Sequence, residues 1–405
     1  MLNKIIVVGG GAAGFFAAIA AAENGANVTI LEKTARVLEK VRISGGGRCN
    51  VTHSLFETRE FSNRYPRGGR ALLGPFTKFS ASDTVAWFEA HGVKLKTERD
   101  GRMFPVTDNS ETIVNCLMEA AQNAGVKIRL NCTVESVVKN TDGTFELTLS
   151  NHEKIRGDKL ILATGGCRAA VAGQLAASLG HTIEAPVPSL FTFQIESPWL
   201  RSLAGVSLEL AEVSVPSAKL KERGPLLVTH WGLSGPAILK ISAWGARTLH
   251  ELNYQFPLFV NWLPESNAEK IIAEFQARRE TVGAKLLPNV PLFPLTLRLW
   301  EQLILAAGVA RETRWSALTR AQMQALAQQL TRTEFSVTGK SLNKDEFVTC
   351  GGVKLGEIIF QRMESKVCPG LFFAGELLDI DGITGGFNFQ AAWTTGFIAG
   401  NAMTE

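Results

Sequence analysis

A glycine-rich segment near the start of the chain carries the clearest chemical pattern. Gly9, Gly11 and Gly14 directly follow an apolar, β-branched run at 5–8. In this spacing the first glycine permits a tight turn, the second lets a pyrophosphate approach the backbone, and the third brings the next helix close to the strand. A second apolar run ends at Glu32, 18 residues beyond Gly14. Its carboxylate can accept hydrogen bonds from an adenosine ribose and disfavours a 2′-phosphate, so FAD or NAD fits better than NADP.

A second candidate site lies at 44–50, where three consecutive glycines precede Arg48, Cys49 and Asn50. Three glycines allow the backbone to approach a flat ligand, and the Arg48 guanidinium can reach a phosphate or carbonyl oxygen. Ser44 and Asn50 offer hydrogen bonds. A thiol beside an arginine can have a lowered pKa, so Cys49 is a candidate redox thiol or proton donor. We favour a structural role for Cys49 over the catalytic one.

The segment 382–390 opens into an apparent helix close to the end of the chain. Backbone N–H groups at a helix N-terminus attract anions. In an FAD protein this helix end would meet the pyrophosphate or the electron-rich N1–C2=O edge of the flavin. The alternative is an ordinary glycine-rich turn, and the glycine fingerprint at the other end of the chain favours the flavin role.

Three further segments are candidates for the ligand cleft. The strand-like run at 159–162 ends at 163–166, a position that lies beside the cofactor in flavoproteins with one nucleotide domain. The glycine pair in 349–353 either approaches the flavin or only turns into a strand. In 229–236, His230 is either a general acid or a histidine bonded to backbone. Trp231 and Trp244 are interpreted as packing residues.

Composition sets broad limits on fold and partners. At 405 residues the chain is long enough for two or three domains, and no apolar run reaches the length of a membrane-spanning helix. A formal charge of +4 does not by itself indicate nucleic-acid binding. The most basic stretch is interpreted as a solvated surface loop, and it contains Arg59, Arg64, Arg67 and Arg70.

The six cysteines show neither a C-x-x-C motif nor a metal-type pairing with the six histidines. We therefore expect a cytoplasmic protein with reduced thiols and no metal site. Cys116, Cys132 and Cys167 lie among apolar neighbours and are expected to be packed in the core.

The order of periodic segments predicts an α/β nucleotide-binding domain built from both ends of the chain, with an insert between them. Helical periodicity indicates helices at 82–91, 109–125, 267–279, 295–307, 320–330 and 389–403. Strand patterns occur at 126–130, 132–139, 145–150, 191–195, 206–215 and 257–262. The predicted domains are a Rossmann-like domain at 1–190 and 345–405, a β-rich insert at 191–263 and 333–344, and a helical subdomain at 264–332.

Taken together, these motifs resemble the YhiN/BaiN-like family of bacterial flavoproteins over essentially the full chain. The Ser-Gly-Gly-Gly-Arg-Cys-Asn loop and the Gly-Gly-Phe-Asn-Phe-Gln end are its most specific features. The resemblance implies an α/β fold in which a Rossmann-like FAD-binding domain is interrupted by an insert with a β-barrel-like part and a helical part.

The resemblance also implies roles for individual residues. The pyrophosphate would lie against the first glycine turn, the adenosine ribose against Glu32, and the adenine against the backbone of Val134. Glu376 stands where many related flavoproteins carry Asp, and the resemblance implies that it contacts the ribityl chain of the cofactor. The complete predicted cofactor set is Gly9, Gly11, Ala12, Ala13, Gly14, Glu32, Lys33, Ser44, Gly45, Gly46, Arg48, Cys49, Asn50, Val134, Ala163, Thr164, Gly165, Gly375, Glu376, Gly385, Gly386, Phe387 and Asn388.

The function implied by the resemblance is an FAD-dependent oxidoreductase that reduces an activated C=C bond, either in a small enone or in the uracil ring of ribosomal RNA. Cys49 and His230 are the candidate proton donors, and an RNA substrate would make use of Arg64, Arg67 and Arg70. Because no second G-x-G-x-x-G occurs, NAD(P)H would bind transiently in the substrate cleft. The alternatives are an amine or alcohol oxidase or dehydrogenase, and a non-catalytic flavin-binding redox scaffold. The pattern leaves the oligomeric state open.

Overall fold

The computed structural model describes residues 3–167, 170–292, 295–341 and 348–405. The chain divides into two compact units. The first contains residues 1–189 and 343–405, and the second contains residues 190–342.

The strands are numbered in chain order. They are β1 (Lys4–Val8), β2 (Asn27–Leu31), β3 (Thr52–His53), β4 (Leu95–Thr97), β5 (Arg102–Pro105), β6 (Lys127–Arg129), β7 (Val134–Lys139), β8 (Phe145–Leu149), β9 (Lys154–Gly157), β10 (Lys159–Leu162), β11 (Ile183–Ser189), β12 (Phe193–Ile195), β13 (Ser207–Val215), β14 (Leu220–Val228), β15 (Gly232–Ser234), β16 (Phe256–Asn261), β17 (Thr333–Lys340), β18 (Val348–Val353), β19 (Ile358–Ile359), β20 (Glu364–Ser365) and β21 (Leu371–Phe373).

The helices are numbered in the same way. They are α1 (Ala12–Glu23), α2 (Glu39–Gly47), α3 (Thr58–Ser62), α4 (Gly69–Lys78), α5 (Ala81–Ala90), α6 (Glu111–Asn123), α7 (Ala170–Ser178), α8 (Pro198–Arg201), α9 (Pro236–Trp244), α10 (Ala246–Glu251), α11 (Ala268–Val282), α12 (Leu297–Ala306), α13 (Arg320–Arg332) and α14 (Phe387–Ala402).

The first unit is organised around a sheet in which the described residues form seven strands, in the order β19-β20-β21-β10-β1-β2-β6. The neighbours β21-β10-β1-β2-β6 are all parallel, and Val8 is aligned with Leu31 on one side and Leu162 on the other. The central strands are apolar and buried, as expected of a parallel sheet covered on both faces. Parallel strands bring their carboxyl ends to one edge, where a nucleotide binds in such folds.

Helices from opposite ends of the chain pack tightly in this unit. An added Cβ at Gly396 of α14 would lie 2.5 Å from the carbonyl oxygen of Ala13, and one at Gly400 would lie 2.4 Å from that of Ala17. The backbones of α1 and α14 are therefore in direct contact, which only glycine permits at these positions. This contact places the N-terminal glycine turn beside the C-terminal segment.

The second unit contains a closed barrel, whose described strands follow the order β12-β15-β14-β13-β16-β17. Buried and exposed residues alternate along β14 and β17, as they must where one face of a strand fills a barrel. Helices α11 to α13 form the helical part, in which Trp300 and Trp315 stack with ring centroids 6.3 Å apart. The predicted fold class, a Rossmann-like domain with a β-barrel-like and helical insert, is confirmed.

Some predicted elements were wrong or incomplete. The expected β-rich stretch 191–263 also contains three helices, α8 to α10. The pair Gly235-Pro236 is a helix-start signal that the strand-based interpretation overlooked, because proline is favoured in the first helical turn. The last helix begins at Phe387 rather than near 389. Within the described ranges, no helix combines the length and apolarity needed to cross a membrane.

Candidate functional site

In the first glycine turn, the packing of the protein requires glycine at two positions but not at the third. Gly9 has φ +112°, and an added Cβ would lie 2.3 Å from the carbonyl oxygen of Ala163. At Gly14 a Cβ would lie 2.0 Å from the carbonyl oxygen of Gly9. At Gly11 a Cβ would meet no atom of the described chain within 4 Å. The space at Gly11 is therefore open, where the fingerprint places the pyrophosphate.

The N-terminus of α1 is suited to an anion. Gly11 caps the helix without a side-chain hydrogen bond, and the first turn contains no acidic residue. The first N–H groups of a helix have no partner within the helix, and they carry part of its positive dipole end. Ala12 and Ala13 add no polar side chain that would compete with a bound phosphate.

Glu32 stands at the carboxyl end of β2, beside this turn. Its Oε2 accepts a hydrogen bond from the Gly10 N–H (2.8 Å). Its Oε1 accepts from the Thr34 N–H (2.9 Å) and hydroxyl (2.8 Å). A carboxylate oxygen accepts about two hydrogen bonds, so Oε2 keeps capacity for a ribose hydroxyl. The neighbouring Lys33 is exposed, and Val134 is the buried first residue of β7.

The 44–50 loop is partly helical, because α2 extends to Gly47 across a kink. Ser44, Gly45 and Gly46 are non-helical, and both glycines have positive φ. Gly45 packs against the Phe104 ring, whereas an added Cβ at Gly46 would meet nothing within 4 Å in the described chain. The loop thus presents open backbone at Gly46, as a flat ligand requires.

Arg48 is held by acidic and aromatic partners within the protein. Its Nη1 lies 2.6 Å from Glu98 Oε1 and 3.4 Å from Asp108 Oδ1. Its guanidinium carbon lies 4.0 Å from the centroid of the Phe104 ring. The predicted contact of Arg48 with a phosphate or carbonyl must therefore compete with two carboxylates.

Cys49 differs from the expected activated thiol. It is fully buried with φ +60°, and its backbone N–H donates to the Ser44 carbonyl oxygen (3.0 Å). Burial raises the pKa of the Cys49 thiol to about 12, although a hydrogen bond with Ser44 acts in the opposite direction. The expectation that neighbouring Arg48 lowers this pKa was wrong, because desolvation dominates.

The Ala163–Gly166 segment contains an unsatisfied polar group. The Thr164 hydroxyl is buried and has no hydrogen-bond partner in the described part of the chain. The next residue, Gly165, has φ +76°, and an added Cβ would meet nothing within 4 Å there. Buried polar atoms are normally paired, so the Thr164 hydroxyl indicates where a ligand atom is needed.

The Gly375–Glu376 segment packs against residues from the N-terminal part of the chain. An added Cβ at Gly375 would lie 2.8 Å from the Ala13 Cβ. Glu376 Oε1 accepts from the Thr349 N–H (2.8 Å), and its Oε2 lies 2.5 Å from Lys40 Nζ. Both Glu376 oxygens are therefore engaged within the protein, and its contact with the ribityl chain remains a prediction.

The N-terminus of α14, like that of α1, has no side-chain cap. Gly386 has φ +90° and gives the helix no side-chain cap, and the first turn has no acidic residue. A Cβ at Gly386 would lie 2.5 Å from the Thr52 carbonyl oxygen. With its amide oriented to suit both neighbours, Asn50 donates to that oxygen (3.1 Å) and accepts from the Gly386 N–H (2.9 Å). Asn50 thus links the 44–50 loop to the C-terminal segment.

These observations test whether FAD fits the residues present. The N-termini of α1 and α14 have no side-chain cap, the buried Thr164 hydroxyl has no partner in the described chain, and three glycines of the predicted cofactor set border open space. The residues fit a long, flat dinucleotide with one anionic centre. All predicted cofactor residues belong to the first unit, and the glycines of that set that border open space are Gly11, Gly46 and Gly165.

His230 belongs to the second unit, on the turn between β14 and β15. The turn is held by hydrogen bonds from the Thr229 N–H to the Gly232 carbonyl (2.8 Å) and from the Trp231 N–H to the Thr229 hydroxyl (3.3 Å). His230 is exposed, and Trp231 is 71% exposed. Trp231 and Trp244 were interpreted as packing residues, and both are exposed, Trp244 at 42%.

The basic stretch is more structured than predicted. Arg59 and Arg64 are exposed, but Arg67 pairs with the fully buried Asp381. The prediction of a wholly solvated loop is therefore wrong, since α3 and α4 fold much of it. Sequence reasoning missed Asp381 as a site residue, although an acid between Ile380 and Gly382 needs a partner if it is buried.

The cysteines and acidic groups give no sign of a metal centre in the described ranges, where no three His, Cys, Asp or Glu side chains converge. All six cysteines lie in the described ranges, are buried and form no disulfide there.

Comparison with known proteins gives a match over nearly the whole chain. The family described as "HI0933-like protein Rossmann domain" matches residues 3–402. The chain is 28% identical to a 3-dehydro-bile acid delta(4,6)-reductase of Clostridium scindens, over 100% of both chains. It is 32% identical to a ribosomal RNA dihydrouridine synthase of Escherichia coli, over 96% of this chain and 95% of the relative.

A solved structure supports the fold. The 3-ketosteroid-delta4-(5alpha)-dehydrogenase of Rhodococcus jostii, solved with 4-androstene-3,17-dione, has a TM-score of 0.53. The match covers 100% of this chain and 97% of the dehydrogenase chain, at 14% sequence identity. At this identity the similarity concerns the fold alone.

Proposed function

Because this chain belongs to the HI0933-like protein Rossmann-domain family, we infer that it is an FAD-dependent reductase of a C=C bond conjugated to a carbonyl group. The family and the enzyme class, an FAD-dependent oxidoreductase, match those predicted from the sequence. The reaction and its substrate are the proposal. An enone and a uracil ring share this conjugated bond, and the two relatives are named for substrates of these two kinds.

The observation that carries the proposal is the buried Thr164 hydroxyl, which lacks a partner in the described chain and lies in a segment of open glycine backbone. The N–H groups at the start of α1 would hold the pyrophosphate, and Glu32 the adenosine ribose. The start of α14 would face the N1–C2=O edge of the flavin and stabilise negative charge there. FAD, when bound, supplies two-electron hydride chemistry.

Reduction of the substrate adds a hydride to one carbon and a proton to its neighbour, so a proton donor is needed. We favour His230 over Cys49 for this role. An exposed imidazole can exchange its proton with solvent, whereas the Cys49 thiol is fully buried with a pKa of about 12. NAD(P)H is the proposed source of the electrons.

The reaction is tested by anaerobic mixing of the FAD-loaded protein with NADH or NADPH. We expect the flavin to bleach, and then to recover its colour when an enone or a uracil-containing ribosomal RNA fragment is added without air. Bleaching by an amine or alcohol, with rapid peroxide formation on exposure to air, would instead identify an oxidase. A flavin that no donor reduces would favour the redox scaffold.

The role of His230 is tested by His230→Gln. We expect flavin reduction by NAD(P)H to keep its rate, while recovery of colour with substrate slows by about a hundredfold to ten-thousandfold, the usual contribution of general acid catalysis. His152→Asn changes an exposed histidine of the first unit and serves as the control. Equal recovery rates in the wild-type protein and His230→Gln would remove His230 from the mechanism.

The kind of substrate is distinguished by salt. The second unit carries the whole formal charge excess, with 16 Lys and Arg against 12 Asp and Glu at 190–342, while the remaining residues balance at 26 each. An RNA held by phosphate contacts binds much more weakly as salt increases. Turnover that is insensitive to salt would favour a small enone.

A further inference from the structure

The segment between α3 and α4 lies directly against the segment that precedes α14. Arg67 and Asp381 form an isolated antiparallel backbone bridge. The Ile383 N–H donates to the Arg64 carbonyl oxygen (2.9 Å). An added Cβ at Gly68 would lie 2.5 Å from Ile380 Cγ1, so the Ile380 side chain packs directly on the Gly68 backbone.

The side chains of this contact form a buried ion pair. Asp381 is 0% exposed, and its Oδ1 accepts from Arg67 Nε (2.5 Å). Its Oδ2 accepts from Arg67 Nη2 and from the Ser189 hydroxyl (2.7 Å). A buried carboxylate is costly unless it is paired, and loss of one partner leaves an uncompensated charge. The two-pronged Arg67 contact therefore fixes Asp381, which is the residue before Gly382.

Further hydrogen bonds connect Gly382, the residue after Asp381, to the start of α14. The Asn388 side chain accepts from the Gly382 N–H (2.8 Å) and donates to the Gly382 carbonyl (2.9 Å). The Tyr65 hydroxyl donates to the Phe387 carbonyl oxygen (2.5 Å). Asp381, Gly382 and the first turn of α14 are thus held as one connected group.

Resting on the proposed binding of FAD, we propose that Arg67 is a positioning residue for the flavin. Through Asp381 it holds the 382–386 segment so that the N–H groups at the start of α14 face the flavin N1–C2=O edge. This arrangement assigns Arg67 to cofactor placement rather than to RNA binding. Arg59, Arg64 and Arg70 are exposed, and Arg64 takes part in this contact through its backbone carbonyl.

The proposal has a consequence that simple destabilisation lacks. Reduced flavin carries more negative charge at its N1–C2=O edge than oxidised flavin, so a correctly aimed helix end binds the reduced form more tightly. If the start of α14 is displaced, the binding of reduced FAD should weaken more than the binding of oxidised FAD. The ratio of the two dissociation constants, and hence the reduction potential, should change.

The experiment compares Arg67→Met with the double variant Arg67→Met/Asp381→Asn and with the conservative Arg67→Lys. The double variant replaces a neutral pair of charges by a neutral pair of side chains, so a changed potential there reports position and not lost charge. Arg59→Met removes an exposed arginine of the same stretch and is the matched control. FAD affinity in both oxidation states and the flavin potential are measured on each purified protein.

We expect the double variant to weaken reduced FAD about tenfold more than oxidised FAD, which corresponds to a potential about 30 mV more negative. Arg67→Lys should give a smaller shift in the same direction, and Arg59→Met none. If Arg67→Met does not fold, the other two variants decide the question. Equal weakening of both forms, or an unchanged ratio, would overturn the proposal. A wild-type protein that binds no FAD would instead refute the proposed function, and with it the premise.

Discussion

The contrast between Gly9 and Gly11 gives the sharpest prediction about the nucleotide turn. Both belong to the fingerprint, but the protein occupies the space at Gly9 and leaves it open at Gly11. Gly9→Ala must place a Cβ 2.3 Å from a carbonyl oxygen, at φ +112°. Strained φ costs about 1–3 kcal/mol and overpacking about 1–3 kcal/mol, so we expect Gly9→Ala to lower the free energy of unfolding by roughly 2–6 kcal/mol.

Gly11→Ala should behave oppositely. Its φ of −92° suits alanine. Alanine is a poorer N-cap than glycine, but it also lowers the entropy of the unfolded chain, and these effects of about 0.5–1 kcal/mol each oppose one another. We therefore expect the FAD-free variant to keep the wild-type unfolding free energy within about 1 kcal/mol.

The Gly11→Ala substitution should reduce FAD affinity without reducing the stability of the FAD-free protein. A methyl group at Gly11 would displace the pyrophosphate and cost about one charge-assisted hydrogen bond, worth about 1.5–3 kcal/mol. The dissociation constant of FAD should then increase about tenfold to a hundredfold. Thermal unfolding of the FAD-free proteins and fluorescence titration with FAD measure the two effects. Wild-type FAD affinity in Gly11→Ala would refute the placement of the pyrophosphate.

Two further predictions concern the core. Burial raises the pKa of the Cys49 thiol from 9.0 to about 12. Between these two pH values the thiol keeps its proton in the folded state and loses it in the unfolded state. The free energy of unfolding should therefore fall by up to about 1.4 kcal/mol per pH unit as pH rises from 9 towards 12. Thermal unfolding of Cys49→Ala between pH 8 and 10.5 should show a shallower decline, and an identical decline would exclude this cause. Gly400→Ala would place a Cβ 2.4 Å from the Ala17 carbonyl oxygen and should destabilise by about 1–3 kcal/mol. Gly356→Ala, at an exposed position where an added Cβ would meet nothing within 4 Å in the described chain, should be neutral or slightly stabilising by comparison. Equal melting temperatures for these two variants would argue against close packing of α1 and α14.

The parts of the fold that local pattern determines were predictable. The Gly9–Gly14 turn, the strand that ends at Glu32 and the helical periodicity of α6 and α13 all depend on residues close in sequence. The strands of the barrel could be anticipated as segments, but their closure depends on pairings such as β12 with β17, which are far apart in sequence. Such pairings leave no local signal.

The missed features of the site are long-range and electrostatic. Nothing near Arg67 in sequence reveals that its partner is Asp381, 314 residues away. Arg48 likewise forms an ion pair with Glu98. Burial raises the pKa of the Cys49 thiol, and this effect is larger than the expected lowering by the adjacent Arg48. Residue type predicted which groups could do chemistry, whereas burial and distant partners decide their charge state.

The central claim is that both ends of the chain form one FAD-binding cradle, and the amount of FAD bound per chain tests it most directly. After reconstitution and gel filtration, the absorbance spectrum should show about one FAD per chain in the wild-type protein. That ratio should fall in Gly11→Asp, which puts a carboxylate where the phosphates belong. A folded wild-type protein that remains colourless after reconstitution would contradict the account.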